Sequence, residues 1–187
     1  ALAALAGTTQ RAELGVIHYN NAFRHPALTA KMVATLDQIS NGRMIHFVDY
    51  GNRPREFVAY GLHPDDAMDE RIAQMCEGVE LAIQLWTSDA PVTFEGRYYR
   101  TQEAVCAPKP VQKPHPPIYY GATSPDSPAM VARRGWNLAL SRQPLANCAR
   151  AIKAYREERA KHSHLDGKGD AIMVRDVYVA ETDEQAR

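Results

Sequence analysis

Strand-type and helix-type patterns alternate along this chain from end to end, and nothing else in the sequence narrows its fold as far. Arg11 to Tyr19 (RAELGVIHY) has strand character, and Asn20 to Arg24 leads out of it as a loop. His25-Pro26 opens a helix in which Leu28, Met32, Val33, Leu36 and Ile39 recur at helical spacing, with Asn41-Gly42 as its stop. Arg43 to Val48 is the next strand, followed by a polar loop from Asp49 to Pro54. A second long helix starts near Asp66 and carries Ile72, Met75, Cys76, Val79, Ile83 and Trp86 on one side. Residues 87–113 interrupt the alternation with a β-hairpin excursion around Glu95-Gly96 and a proline-rich approach to the strand Ile118 to Gly121. A helix from Ser124 to Arg134, a strand Trp136 to Leu140, a helix from Leu145 to Lys161 and a strand Ile172 to Ala180 complete the series. Alternation of this kind implies parallel strands with right-handed crossovers, so the class is α/β, either a doubly wound sheet or a (β/α) barrel.

Composition removes several function classes. Among 187 residues there are 22 basic and 22 acidic side chains, which leaves no charge bias toward nucleic acid or a membrane surface. Cys76, Cys106 and Cys148 are widely spaced and odd in number, which fits reduced thiols in a cytoplasmic protein and suggests no metal site. The acidic run Asp65, Asp66, Asp69 and Glu70 reads as complementation of a helix N-terminus, not as a metal cluster. The opening ALAALAG lacks the basic flank and apolar length of a signal peptide and reads as the tail of a helix. Thr182-Asp183-Glu184-Gln185 is a capping box that starts another helix two residues before the last one, so the chain is expected to be a piece of a larger fold.

Chemistry concentrates on PHPPIYYGATSPDS, Pro114 to Ser127. Its strand ends at Gly121 and turns into Thr123-Ser124-Pro125, where Ser124 is suited to an N-cap and Pro125 to the first helical position. Two readings stand: an anion site suited to phosphate, built from the Ser124 and Ser127 hydroxyls, free backbone N–H groups and the helix dipole, or an ordinary βα turn whose serines only cap the helix. Among the histidines, His18 at a strand exit and His46 within a strand could each serve as a general base or as a hydrogen-bonded structural group. His25 reads as a cap, His162 and His164 as a solvated helix end, and Trp86 and Trp136 as core. No G-x-G-x-x-G follows a strand, so a Rossmann-type nicotinamide site is not expected.

Three stretches, RHPALTAKMVATLDQISNGRMIHF, GNRPREFVAYG and KPVQKPHPPIYYGATSP, resemble the bacterial luciferase-like family of flavin-dependent monooxygenases, which includes alkanesulfonate monooxygenases. Leu36-Asp37-Gln38-Ile39-Ser40-Asn41-Gly42-Arg43 is the most specific part. The resemblance implies a (β/α)8 TIM-type barrel of which this chain holds strands three to seven, as a single domain over residues 1–187 truncated at both ends. Active sites of such barrels lie at the C-terminal ends of the strands, which draws attention to His18 as the catalytic candidate. It also implies flavin contacts at Asp49, Tyr50 and Gly51 and at Thr123, Ser124 and Ser127. Luciferases carry an arginine at the place of Tyr50, which leaves the cationic partner of the phosphate open, with Arg53 as one substitute; Arg175 does not align with the catalytic positions of the alkanesulfonate enzymes. The implied activity is that of an oxidoreductase using reduced FMN and O2 to oxidise a small organic substrate, with a separate NAD(P)H-dependent flavin reductase and a homo- or heterodimeric assembly. The alternatives are a deazaflavin-dependent oxidoreductase and a non-catalytic flavin-binding subunit of the same fold.

Overall fold

The computed structural model describes residues 1–51, 53–62, 67–162 and 169–186. In chain order it contains α1 (Leu2–Thr8), β1 (Tyr19–Asn20), a 3-10 turn (Asn21–Phe23), α2 (Pro26–Ser40), β2 (His46–Asp49), α3 (Pro54–Ala59) and α4 (Met68–Thr87). There follow β3 (Val92–Glu95), β4 (Arg100–Ala104), β5 (Ile118–Gly121), α5 (Ser127–Arg133), β6 (Asn137–Ser141), α6 (Leu145–Arg159), β7 (Ala171–Val174) and α7 (Asp183–Ala186). The α/β class expected from the alternation is the one observed, with parallel pairing of β1 with β2 and of β6 with β7. The chain divides into two compact units, Ala1–Tyr119 and Tyr120–Arg187, with the boundary inside β5.

In the first unit β2 lies between β1 and the start of β5, where the His46 N–H donates to the Pro117 carbonyl at 2.9 Å. The C-terminus of α2 ties the unit together. Asn41 takes the left-handed conformation (φ 55°) that ends the helix, in keeping with the Asn-Gly stop. One turn earlier, the fully buried Asp37 carboxylate accepts from the Met44 N–H at 3.3 Å, the Gln112 N–H at 2.9 Å and Gln112 Nε2 at 2.7 Å. Gln38 Nε2 donates to the Lys109 carbonyl at 2.8 Å, and Lys109 Nζ in turn donates to the Leu85 and Ser88 carbonyls, capping the C-terminus of α4. Arg43 spends all five guanidinium N–H donors on oxygens, reaching Ser40 O, Thr9 Oγ1, Ala12 O, Ala6 O and Thr9 O. A stretch of eight residues thereby joins α1, α2, the start of β2, the proline-rich segment and α4.

The face that α2 buries differs from the one its large apolar residues suggest. Thr29, Ala30, Val33, Ala34 and Asp37 are buried, whereas Leu28 and Ile39 are about half exposed, at 53% and 51%. Small side chains at Ala30 and Ala34 let α2 approach closely, and Trp86 of α4 donates from Nε1 to the Ala30 carbonyl at 2.9 Å. Leu28, Met32, Leu36 and Ile39 instead line an open apolar groove of about 930 Å³ with Ala1 to Ala3 and Val16.

Other expected boundaries also move. The strand expected over Arg11 to Tyr19 reduces to one bridge, Leu14 with Met44, and the two residues of β1, which ends where Asn20 Oδ1 accepts from the Ala22 N–H and turns the chain into the 3-10 segment. Residues 54–59 form α3 beyond the expected polar loop, and Asp65, Asp66 and His164 lie outside the described residues. β3 and β4 pair antiparallel, and the hairpin is held on α4 by Glu77, whose carboxylate accepts from the N–H groups of Arg97, Tyr98 and Tyr99.

In the second unit β6 lies between the end of β5 and β7. Leu138, Ala139 and Leu140 are all buried, as expected for a strand covered on both faces. Tyr155 of α6 donates to the Trp136 carbonyl at 2.9 Å and fixes the entry to β6. β7 stops at Val174, well short of the expected Ala180, because its partner β6 ends at Ser141; Val177, Tyr178 and Val179 beyond it are exposed.

Replacing Asp37 by Ala removes three hydrogen bonds to a buried carboxylate and leaves the Met44 and Gln112 donors unpaired. A loss of roughly 3–5 kcal/mol is expected, read as a fall in the urea midpoint. Gln38→Ala, which removes one exposed bond, is expected to cost about 1 kcal/mol or less, and equal small losses for both would contradict the assignment.

Candidate active site

Each unit presents its own set of polar groups where its strands end. In the first unit β1 and β2 pair Tyr19 with Val48 and Asn20 with Asp49. This register puts His18 Nδ1 3.8 Å from Asp49 Oδ2, a charge contact when the imidazole is protonated, too long for a hydrogen bond. Asp49 Oδ1 accepts from the Gly51 N–H. Gly51 sits at φ +80°, and a Cβ there would lie 2.3 Å from Phe57 Cζ and 2.9 Å from Asn20 Nδ2, so only glycine fits the turn. Tyr50 lies beneath the Arg71 guanidinium, 5.9 Å from the ring centroid, so a cation reaches this loop from α4. His18, Tyr19 and Asn20 also border the apolar groove.

In the second unit the residues after β5 fold differently from the expected capped helix. The N-cap is Asp126, not Ser124, and Pro128 takes the early helical position assigned to Pro125. Ser127 causes the shift: its hydroxyl donates to the Ser124 carbonyl at 2.6 Å and accepts from the Ser124 N–H at 3.1 Å, closing a turn before the helix begins. Ser127 is buried with its hydroxyl engaged inside the turn, while Thr123 and Ser124 are exposed on a cleft of about 330 Å³. Gln143, Asn147, Arg150, Ala151 and Ala154 also line that cleft. Gln143 Nε2 donates to the Ala122 carbonyl at 2.8 Å, and its own carbonyl accepts from Arg175 at 2.7 Å. The exits of β5, β6 and β7 are thereby tied to one residue. Among the described residues the polar side chains on the cleft are hydroxyls, amides and one guanidinium, without a carboxylate, a donor set that suits an anion.

Sequence reasoning does not mark Gln143, Asn147 or Arg150. The available signal is Asn147, Arg150, Ala151 and Ala154 at helical spacing, one polar and small-residue stripe on the helix after β6.

His46 falls outside both sets. It is 1% exposed, edge-on to Trp86 and to Tyr19, and its Nδ1 has no hydrogen-bond partner among the described residues. Burial, reinforced by the charge of His115, lowers its pKa to about 4. Its place is the core beside α4, as a neutral ring. His25 does cap α2, accepting from the Ala27 N–H at 3.2 Å. The three cysteines are free and buried. Among the described residues no group of three or more His, Cys, Asp or Glu side chains could hold a metal ion, and no helix is long and apolar enough to cross a membrane.

Comparison with known proteins places these features in a family. The sequence profile of luciferase-like monooxygenases matches residues 1–187. The chain belongs to the luciferase-like monooxygenase family. It is 33% identical over 164 residues to the FMNH2-dependent dimethylsulfone monooxygenase of Pseudomonas putida, covering 87% of this chain and 43% of that protein. It is 37% identical over 133 residues to the F420-dependent glucose-6-phosphate dehydrogenase of Nakamurella multipartita, covering 71% of this chain and 38% of that one. The crystal structure of the monooxygenase RslO1 from Streptomyces bottropensis superposes with a TM-score of 0.86 at 31% identity, over 100% of this chain and 56% of that one. The chain therefore spans about half the length of these luciferase-like relatives, and it holds part of their TIM-type barrel fold.

Because the folded pKa of His46 lies below its ordinary 6.5, the unfolded chain takes up the proton first as pH falls. Stability is lost between about pH 6.5 and 4 and the loss levels off below that, for a total of about 3 kcal/mol. His46→Leu, similar in volume, should flatten that part of the stability–pH curve relative to the native protein, measured by urea denaturation at several pH values; parallel curves would contradict it.

Proposed function

We propose that this chain forms part of a cytoplasmic flavin-dependent monooxygenase in which reduced FMN and O2 oxidise a small organic substrate. The carboxylate-free cleft at the β5 exit, with hydroxyl, amide and guanidinium donors, carries the reading, because a phosphate is the part of FMN that such a set of groups recognises. Thr123 and Ser124 would hold the phosphate with their hydroxyls, and Ser127 keeps their turn closed. Within the first unit, the family likeness puts forward Asp49, Tyr50 and Gly51 as flavin-binding residues. Reduced FMN, when bound, supplies the electrons that activate O2. His18 holds and moves a proton at Nε2, with its Nδ1 facing the Asp49 carboxylate at 3.8 Å. Reduced FMN comes from a separate NAD(P)H-dependent reductase.

A deazaflavin-dependent oxidoreductase is the second reading, favoured by the identity to the F420-dependent relative. The two separate by experiment. Given O2 and a panel of aldehydes, sulfonates and ketones, the full-length protein of which this chain forms part is expected to form oxygenated product only when a flavin reductase or reduced FMN is supplied. His18→Gln should lower product formation by roughly 10²–10⁴-fold with FMN affinity retained. Oxidation of an alcohol with deazaflavin as acceptor, without O2 and without product from FMN, would move the assignment to the second reading.

A further inference from the structure

We propose that Arg150 is the charge-selecting residue of the second unit's cleft, making it prefer a terminal phosphate monoester over an uncharged or phosphodiester-linked flavin. Resting on the flavin reading of this cleft, the proposal adds a residue from α6 that neither motif nor resemblance marks. Among the described residues that line the cleft, Arg150 is the single cation, and no carboxylate is there to neutralise it. Its guanidinium donates to Asn147 Oδ1, one turn earlier on the same face of α6. This contact orients the planar fork while engaging one of its five N–H donors. Asn147 adds its amide, and the hydroxyls of Thr123 and Ser124 line the same space. The Ser124 N–H, which a helix-terminus site would have used, is taken by Ser127 Oγ, so recognition falls to side chains.

The preference follows from charge and from oxygen count. A phosphate monoester is close to a dianion at neutral pH and offers three non-bridging oxygens to a guanidinium fork and the neighbouring hydroxyls. A phosphodiester, as in a deazaflavin whose tail continues past the phosphate, offers two such oxygens and a single charge. Riboflavin offers none. One exposed cation acting on twice the charge is a modest effect, so discrimination of about tenfold is the scale to look for.

Dissociation constants of FMN, riboflavin and a phosphodiester-tailed deazaflavin, measured with the full chain and with Arg150→Gln and Arg150→Lys, test the assignment. Arg150→Gln is expected to weaken FMN by about tenfold or more while leaving riboflavin unchanged. Arg150→Lys should recover part of the loss, and the difference should shrink at high salt. Arg150 is exposed, so circular dichroism of both variants should match the native chain. If the native chain prefers FMN to riboflavin and Arg150→Gln keeps that preference, the phosphate is held elsewhere; the inference falls and the flavin reading stands. Equal native affinity for FMN and riboflavin likewise overturns the inference and leaves the flavin reading in place. Binding of none of the three ligands overturns both.

Discussion

A buried carboxylate with no cationic partner among the described residues is tolerated only where N–H donors surround it, and Asp37 is the point on which the first unit depends. Its oxygens receive the Met44 and Gln112 backbone N–H groups and the Gln112 amide, joining the end of α2, the entry to β2 and the segment leading to β5. Arg43, six residues on, does the same for the end of α1 and the residues after it with four of its five donors. The stretch that carries the strongest family likeness, Leu36 to Arg43, is therefore scaffold. Its polar side chains set the register of β2, and through it where Asp49 and Gly51 emerge.

The second unit solves the same problem differently. Gln143 binds the Ala122 carbonyl with its side chain and receives Arg175 on its backbone oxygen, so the exits of three strands are positioned by one residue after β6. Tyr155 and Trp136 secure the opposite end of β6. With both ends of the strand fixed, the groups lining the cleft on α6 are presented by a rigid element, the condition under which modest side-chain contacts become selective.

Apart from α3, the element order is legible in the sequence because short strands between amphipathic helices leave few alternatives. The burial face of α2 is not. Hydropathy favours Leu28, Leu36 and Ile39, but close helix packing rewards the small Ala30 and Ala34, and the buried polar Thr29 and Asp37 look like surface until their partners are known. Local pattern places the start of α5 too early because a serine followed by proline has the look of a cap, whereas Ser127 folds back on Ser124 and delays the helix. It makes β7 too long because a strand's length is set by its neighbour, and β6 has ended by then. The sequence offers the β5 exit as a candidate anion site; the side chains that line the same cleft from α6 emerge only from the fold, since residues 20 or more positions apart show no local signal of meeting.

Amide hydrogen exchange with and without FMN bears most directly on the division between scaffold and binding surface. In the free protein the Met44 and Gln112 amides should exchange as slowly as the core of α4, and FMN should leave them unchanged while slowing residues 122–124 and 143–151. Fast exchange at Met44 and Gln112 in the free protein, or FMN protection confined to residues 36–44, would contradict the account.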